Sequence, residues 1–372
     1  MKIALFIADF SLGGAERVFA TLARGINSRG HQVDLLIGNT NGAVNLDLVP
    51  KQVRVIDLKV KRTRNSLPLL IGYLKRHKPE VMLSTRIESC CFALLAKILS
   101  GVKTSIILRE ANTVSYDLKK YTFKKRLVLG LFMRFLYPFA DMTICVSNGV
   151  KKDLLKFLQL NENKLSVIYS PIITEDLVAE ASQDCSHPWF KDHNIPIIIG
   201  MGRLTEQKRF DILIKAFAAV RKEKKARLLI IGDGEERNKL QSLIVNLGLQ
   251  NDICLLGFDP NPFKFLSRAT LFVLSSDWEG LPGALIQALA CGCPVISTDC
   301  PSGPREILKG GKLGRLIPVG DVEKMASAIK ETLQTLPTIV KLEELREFTE
   351  NYSINEYLNL FKAVRKQKHD AS

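Results

Sequence analysis

The stretch SSDWEGLPGALIQALACGCPVISTDCPSGPREI, residues 275–307, decides how the rest of this chain is read. An apolar strand, FVLSS, runs into it and opens into a loop carrying Glu279, Gly280, Leu281, Pro282 and Gly283. The helix predicted to start there places Gln287 one turn later, on the face of Gly283. A helix N-terminus offers unpaired backbone N–H groups and the positive end of the macrodipole, so a phosphate can bind where glycines let the backbone approach. Glu279 adds an acceptor for hydroxyl groups, and Gln287 an acceptor and donors. A diphosphate with sugar hydroxyls on either side satisfies all of these groups at once, and the ligand so implied is a nucleotide sugar.

Outward from this stretch, apolar strand-like runs alternate with amphipathic helical patterns, the signature of parallel sheets covered by helices. In the first half the predicted strands are 2–8, 32–38, 53–57, 80–85, 104–108, 141–146 and 165–169. A helix over 15–29 stops at Gly30. Residues 170–195 contain two prolines and no convincing period, which reads as a linker with a short peripheral segment. A second series of strands then follows at 196–202, 226–231, 253–256, 270–275, 294–297 and 315–318. Two α/β domains facing one another across a cleft are expected: 1–175, a linker over 176–195, and 196–352. A last helix at 353–368 has no partner strand and is expected to return to the first domain. The length of 372 residues agrees, because single cores stop growing near roughly 250–300 residues. The opening MKIALFIADF has too short an apolar run for an export signal, and no stretch of about 18 apolar residues is present. The eight cysteines lack zinc or disulfide spacing and read as free thiols in a reducing cytoplasm.

Three further loops sit at predicted strand ends, and each has a plainer alternative. In DFSLGGAER, 9–17, Gly13 and Gly14 would let backbone approach a ligand at a helix start, or would only form the turn. In GRLTEQKRFD, 202–211, Arg203 and Lys208 would clamp a diphosphate, or would be solvated surface charges. In IGDGEERNKL, 231–240, Gly232 and Gly234 would lie beside a nucleotide, or again only form a turn. None is the G-x-G-x-x-G fingerprint of dinucleotide binding.

Taken in order, GGAER, GRL with a lysine five residues after its arginine, GDGEER, EGLPGALIQALACGCPVIS and GRLIPVGD resemble the retaining nucleotide-sugar glycosyltransferases of family four, with the GT-B fold of two Rossmann-like doubly wound domains. The resemblance covers nearly the whole chain. It implies that the first domain binds acceptor and the second binds donor. It implies that Arg203 and Lys208 hold the donor diphosphate and Glu279 touches the transferred sugar. The backbone at Gly280, Leu281 and Gly283 would contact sugar and phosphate, with Gly232 and Gly234 nearby, and Gly14 would approach the diphosphate from the first domain. The family's E-x7-E pair stands here as Glu279 and Gln287, so ribose binding loses a charge. Where many relatives carry a histidine near the reacting sugar, this chain has Arg109 and Glu110. Glu16 and Arg109 are placed on the acceptor side, with simple pairing of Arg109 to Glu110 or another acid as the alternative.

Fixed cations aimed at the leaving diphosphate would lower the barrier to breaking its bond to the anomeric carbon. No D-x-D sequence occurs, so no metal is expected, and no cofactor beyond the donor, which is a substrate. Net charge is +15, of which +11 falls in residues 1–187 and +4 in the remainder. Residues 51–78 carry nine cations and only Asp57, and YDLKKYTFKKRLVLGLFMRFLYPF at 116–139 puts basic residues ahead of a strongly apolar helix. Such a stretch fits an anionic membrane surface, or a core helix with a solvated charged end. No nucleic-acid module is recognisable. The expectation is a cytoplasmic enzyme, peripheral on the inner face of the membrane, acting on a lipid-linked glycan or glycolipid acceptor from a UDP-sugar. A UDP-sugar 2-epimerase of the same fold and a noncatalytic nucleotide-sugar sensor are the alternatives; the epimerase needs acid and histidine groups, and no motif loop contains a histidine.

Overall fold

Ile3 to Ile7 are wholly buried, apolar on both faces of the strand, as the centre of a parallel sheet covered on both sides requires. The computed structural model describes every residue except 11–12, 43–45, 193, 336–338 and 371–372. Two positions of the first glycine loop, 11 and 12, and position 193 of the expected linker lie outside the described residues.

The first sheet contains β1 (Lys2–Ile7), β2 (Gln32–Ile37), β3 (Arg54–Asp57), β4 (Val81–Thr85), β5 (Ser105–Glu110), β6 (Met142–Cys145) and β7 (Leu165–Val167). Its order is β3-β2-β1-β4-β5-β6-β7, with every pairing parallel. The second contains β8 (Ile197–Met201), β9 (Arg227–Ile231), β10 (Ile253–Gly257), β11 (Leu271–Leu274), β12 (Val295–Thr298) and β13 (Arg315–Ile317). Its order is β10-β9-β8-β11-β12-β13, again parallel. In each sheet the chain runs outward in one direction, returns to the centre and runs outward in the other. The strand order therefore reverses between β1 and β4 and between β8 and β11, and ligands of such sheets bind beyond the carboxyl ends of the strands at that reversal.

The chain divides into two compact units, Met1–Pro171 with Glu347–Ser372, and Ile172–Arg346. Helix Glu350–Asp370 belongs to the first unit and packs on helix Gly14–Ser28. There Arg24 donates to Glu350 at 2.6 Å. The expected linker over 176–195 needs correction. Its described residues belong to the second unit and are anchored by apolar side chains: helix Leu177–Ser182 packs on helix Phe263–Leu266, and Leu177, Cys185 and Phe190 are buried. Phe190 meets Phe265 with ring centroids 5.8 Å apart. The boundary at 175 moves to 171 and that at 352 to 346.

Candidate active site

In the second unit, the loops that leave the neighbouring strands β8 and β11 are stitched together. Ser275 Oγ donates to the backbone oxygen of Lys208 at 2.7 Å, and Gln207 Nε2 to that of Trp278 at 2.7 Å. The Asp277 amide donates to the Gln207 oxygen at 2.9 Å. Arg209, at φ 47°, pairs with Asp211 at 2.9 Å and Asp277 at 3.0 Å. This lattice fixes the two side chains at its centre, where Lys208 Nζ meets Glu279 Oε1 at 2.6 Å. Ser276 Oγ donates to the same oxygen at 2.6 Å. Glu279 is buried, and a buried carboxylate keeps its charge only where cations and donors compensate it. Arg203 stands exposed on the loop leaving β8.

The glutamate loop is held from behind as well, since Ser302 Oγ donates to the Gly280 oxygen at 2.8 Å. Beyond Leu281, helix Gly283–Ala290 starts with Pro282 at its N-cap, where no side chain caps it. Gln287 lies half-buried in its second turn. Gly232 and Gly234 belong to the loop leaving β9, on the other side of β8. A Cβ on Gly232 would stand 2.0 Å from the Gly202 oxygen, and one on Gly234 2.4 Å from the Leu204 oxygen. These glycines let one loop press against the next, a packing reason sufficient in itself.

In the first unit, the loops leaving β1 and β4 occupy the equivalent place. Arg86 follows β4 at φ 72°, a sterically costly conformation for a non-glycine residue. Its guanidinium pairs with Asp9, which follows β1, and with Glu16 on helix Gly14–Ser28. Glu16 is buried, so its carboxylate serves this loop through Arg86 rather than presenting itself to a ligand. Gly14 differs from the glycines of the β9 loop, for a Cβ there would meet nothing within 4 Å.

Arg109 is not on an accessible surface: it is 2% exposed at the end of β5. Its Nε donates to Tyr357 Oη at 3.0 Å and Nη2 to Ser170 Oγ at 2.7 Å. Neither the acceptor-side position nor a hydrogen bond to Glu110 describes it. Glu110 instead accepts from Tyr137 Oη, and burial pushes its carboxyl up to about 7. Among the described residues no three His, Cys, Asp or Glu side chains gather within metal-binding reach.

Sequence reading alone missed Gln207, Ser276 and Asp277 although all three lie inside the quoted motifs, because their partners are known only once β8 and β11 are neighbours. Asp9 and Arg86 carried even less signal, since 77 residues separate them.

Two parallel doubly wound sheets, with paired charges at both strand-order reversals, are the architecture of the GT-B fold. The comparisons agree. The family model "Glycosyl transferases group 1" matches residues 185–353, and "Glycosyltransferase Family 4" matches residues 12–176. Over 343 residues the chain is 31% identical to the N-acetylgalactosamine-N,N'-diacetylbacillosaminyl-diphospho-undecaprenol 4-alpha-N-acetylgalactosaminyltransferase of Campylobacter jejuni, covering 90% of each. It is 26% identical to the lipopolysaccharide 1,6-galactosyltransferase of Escherichia coli, covering 72% of this chain and 69% of that one. The solved structure of Anabaena Alr3699/HepE in complex with UDP and glucose superposes with a TM-score of 0.77, at 17% identity, over 97% of this chain and 99% of that one. The chain therefore belongs to the family-four, group 1 glycosyltransferases.

Proposed function

We propose that this glycosyltransferase moves a sugar from a UDP-sugar to a hydroxyl of a lipid-linked glycan or lipopolysaccharide-type acceptor, with retention of anomeric configuration and without a metal, at the inner face of the cytoplasmic membrane. The observation that carries the reading is the Lys208–Glu279 pair, held at 2.6 Å where the strand order of the second sheet reverses. A fixed cation beside a fixed carboxylate suits a ligand in which phosphate and sugar hydroxyls are adjacent. Family position adds Arg203 as the second diphosphate cation. Gly280, Leu281 and Gly283 present backbone to sugar and phosphate, Gln287 accepts from a ribose hydroxyl, and Gly232 and Gly234 border the nucleotide. The relative from Campylobacter is named for a diphospho-undecaprenol acceptor and that from Escherichia for lipopolysaccharide, which supports the acceptor class. The UDP complex of the Anabaena structure supports the nucleotide.

In the reaction the anomeric carbon–oxygen bond to the diphosphate breaks and a bond to the acceptor oxygen forms on the same face. Negative charge grows on the leaving oxygens, where Lys208, Arg203 and the N–H groups of helix Gly283–Ala290 stabilise it without reorganising. The acceptor proton passes to a donor phosphate oxygen, so no protein nucleophile is needed. The test is a panel of UDP-, GDP- and ADP-sugars with and without a bacterial lipid extract, reading released nucleotide and radiolabel entering lipid. Label entering lipid from a UDP-sugar is expected; a sugar altered without transfer sinks the proposal.

A further inference from the structure

A single ion pair fixes the distance of a carboxylate but not its direction, because the group can still turn about the bond to its ammonium. Group transfer needs the direction as well, since groups that meet the substrate as charge develops act best when they are already in place. Glu279 has the second support that this requires. Lys208 Nζ reaches its Oε1 at 2.6 Å from a loop 71 positions away, and the Ser276 hydroxyl donates to the same oxygen at 2.6 Å from three residues ahead of it. Two donors from different directions on one buried carboxylate oxygen leave the group one orientation.

Ser276 is itself held. It is wholly buried just beyond β11, and Thr298, the last residue of β12, donates from Oγ1 to its backbone oxygen at 2.6 Å. On the other side Ser275 Oγ binds the Lys208 backbone oxygen at 2.7 Å, in the loop leaving β8. β8, β11 and β12 are neighbours in the sheet, so three adjacent strand ends converge on the lysine–glutamate pair through these hydroxyls. A buried serine needs only some acceptor, and a backbone oxygen is the ordinary one. Ser275 ends on Lys208 O and Ser297 on Thr298 O, whereas Ser276 ends on a charged side chain. That difference separates a hydroxyl that completes packing from one that aims a functional group.

We infer that Ser276 is a positioning residue of the transfer reaction, its hydroxyl turning the Glu279 carboxylate toward the transferred sugar. This deepens the proposed function and rests on it for the role of Glu279. Initial rates of sugar transfer by the full chain would be compared among the parent, Ser276→Ala, Ser276→Cys and Ser297→Ala, with UDP affinity followed by calorimetry. Ser276→Ala should lower kcat by about ten- to a hundred-fold, the effect of losing one hydrogen bond to a charged group. Its KM for the donor should stay within about three-fold of the parent, as expected when an interaction is made chiefly in the transition state. UDP lacks the sugar and should bind as before. Ser276→Cys keeps a weak donor and nearly the volume, so it should fold even where alanine does not, with a kcat below that of the parent. Ser297→Ala removes an equally buried hydroxyl from the neighbouring strand and should share any loss of thermal stability while keeping kcat. A kcat for both Ser276 variants within about two-fold of the parent, a loss confined to KM or UDP affinity, or an equal loss in Ser297→Ala would overturn the assignment. No transfer by the parent from any nucleotide sugar would count against the proposed function instead. The orientation would then be read from the side-chain carboxyl resonance of Glu279 in ligand-free protein by carbon NMR: a shift in the Ser276 variants is expected, and an unchanged resonance would overturn it.

Discussion

The two units use one topology and different charge arrangements. At the strand-order reversal of the second sheet Arg203, Lys208 and Arg209 stand with Asp211, Asp277 and Glu279, and Lys208 is held by Glu279 while Arg209 is held by the two aspartates. At that of the first stand Arg86, Asp9 and Glu16, two carboxylates to one cation. A doubly wound sheet dictates where a ligand will lie and nothing about which, because the loops leaving the central strands carry that information. In the proposed reaction a lysine beside a glutamate suits a phosphate next to sugar hydroxyls, and a half-exposed aspartate braced by an arginine suits hydroxyl groups alone.

The strongest way to break this comparison is to remove the cation at the second reversal. Lys208→Ala should lower sugar transfer by about a hundred- to a thousand-fold, the loss seen when one fixed transition-state donor is deleted. A smaller loss in initial-rate assays would mean that Lys208 does no more than neutralise Glu279. Next in size is a property confined to the first unit. Glu110 has its carboxyl raised from an ordinary 4.5 to about 7, chiefly by burial. Between those values the folded chain holds a proton that the unfolded chain has released, so the stability of the first unit should fall as pH rises from 4.5 to 7, by up to about 3 kcal/mol, and level off above. Denaturant melts of Glu110→Gln should lack that decline. Unfolding curves of the variant parallel to those of the parent across this range would refute the assignment.

Arg86→Ala sharpens the comparison from the acceptor side. It removes the cation that the buried Glu16 shares with Asp9 and should cost the first unit about 2–3 kcal/mol, against which relief of the φ 72° backbone is not gained by alanine. UDP affinity should stay within error, and calorimetry that finds it weakened would show that the two reversals do not divide as described. The smallest effect is expected from Gln287→Glu. Restoring a carboxylate in the second turn of helix Gly283–Ala290 should strengthen UDP binding by less than about ten-fold, since one charge-assisted hydrogen bond replaces a neutral one. Weaker binding in the variant would remove Gln287 from the ribose.

How much of this was legible beforehand varied with the reach of the interaction. Every strand announced itself, the central ones because parallel strands buried on both faces are unbroken apolar runs such as IALFI and LLII. The loop residues Lys208 and Glu279 were legible from motif order, but their pairing was not, being 71 residues apart. Residues 176–195 misled because their polarity outweighs anchoring apolar side chains such as Leu177 and Phe190, which pack on a helix some 80 positions further on. Arg109 misled for the opposite reason. A charged residue closing a strand ordinarily signals a site, and its burial beneath Tyr357 required a helix from the far end of the chain.

That far helix also sets an order of events during synthesis. The first unit is discontinuous, its main part ending at Pro171 and its last piece, Glu347 onward, following the whole of the second unit. At ribosomal rates of about 5–20 residues per second, the intervening segment takes roughly 10 to 35 seconds to emerge. Throughout that interval the guanidinium of Arg109 lacks Tyr357, Gly25 lacks the Ile354 side chain it is shaped to admit, and Arg24 lacks Glu350. The second unit, made without interruption, can therefore reach its folded form first, and the half made earliest is the half completed last.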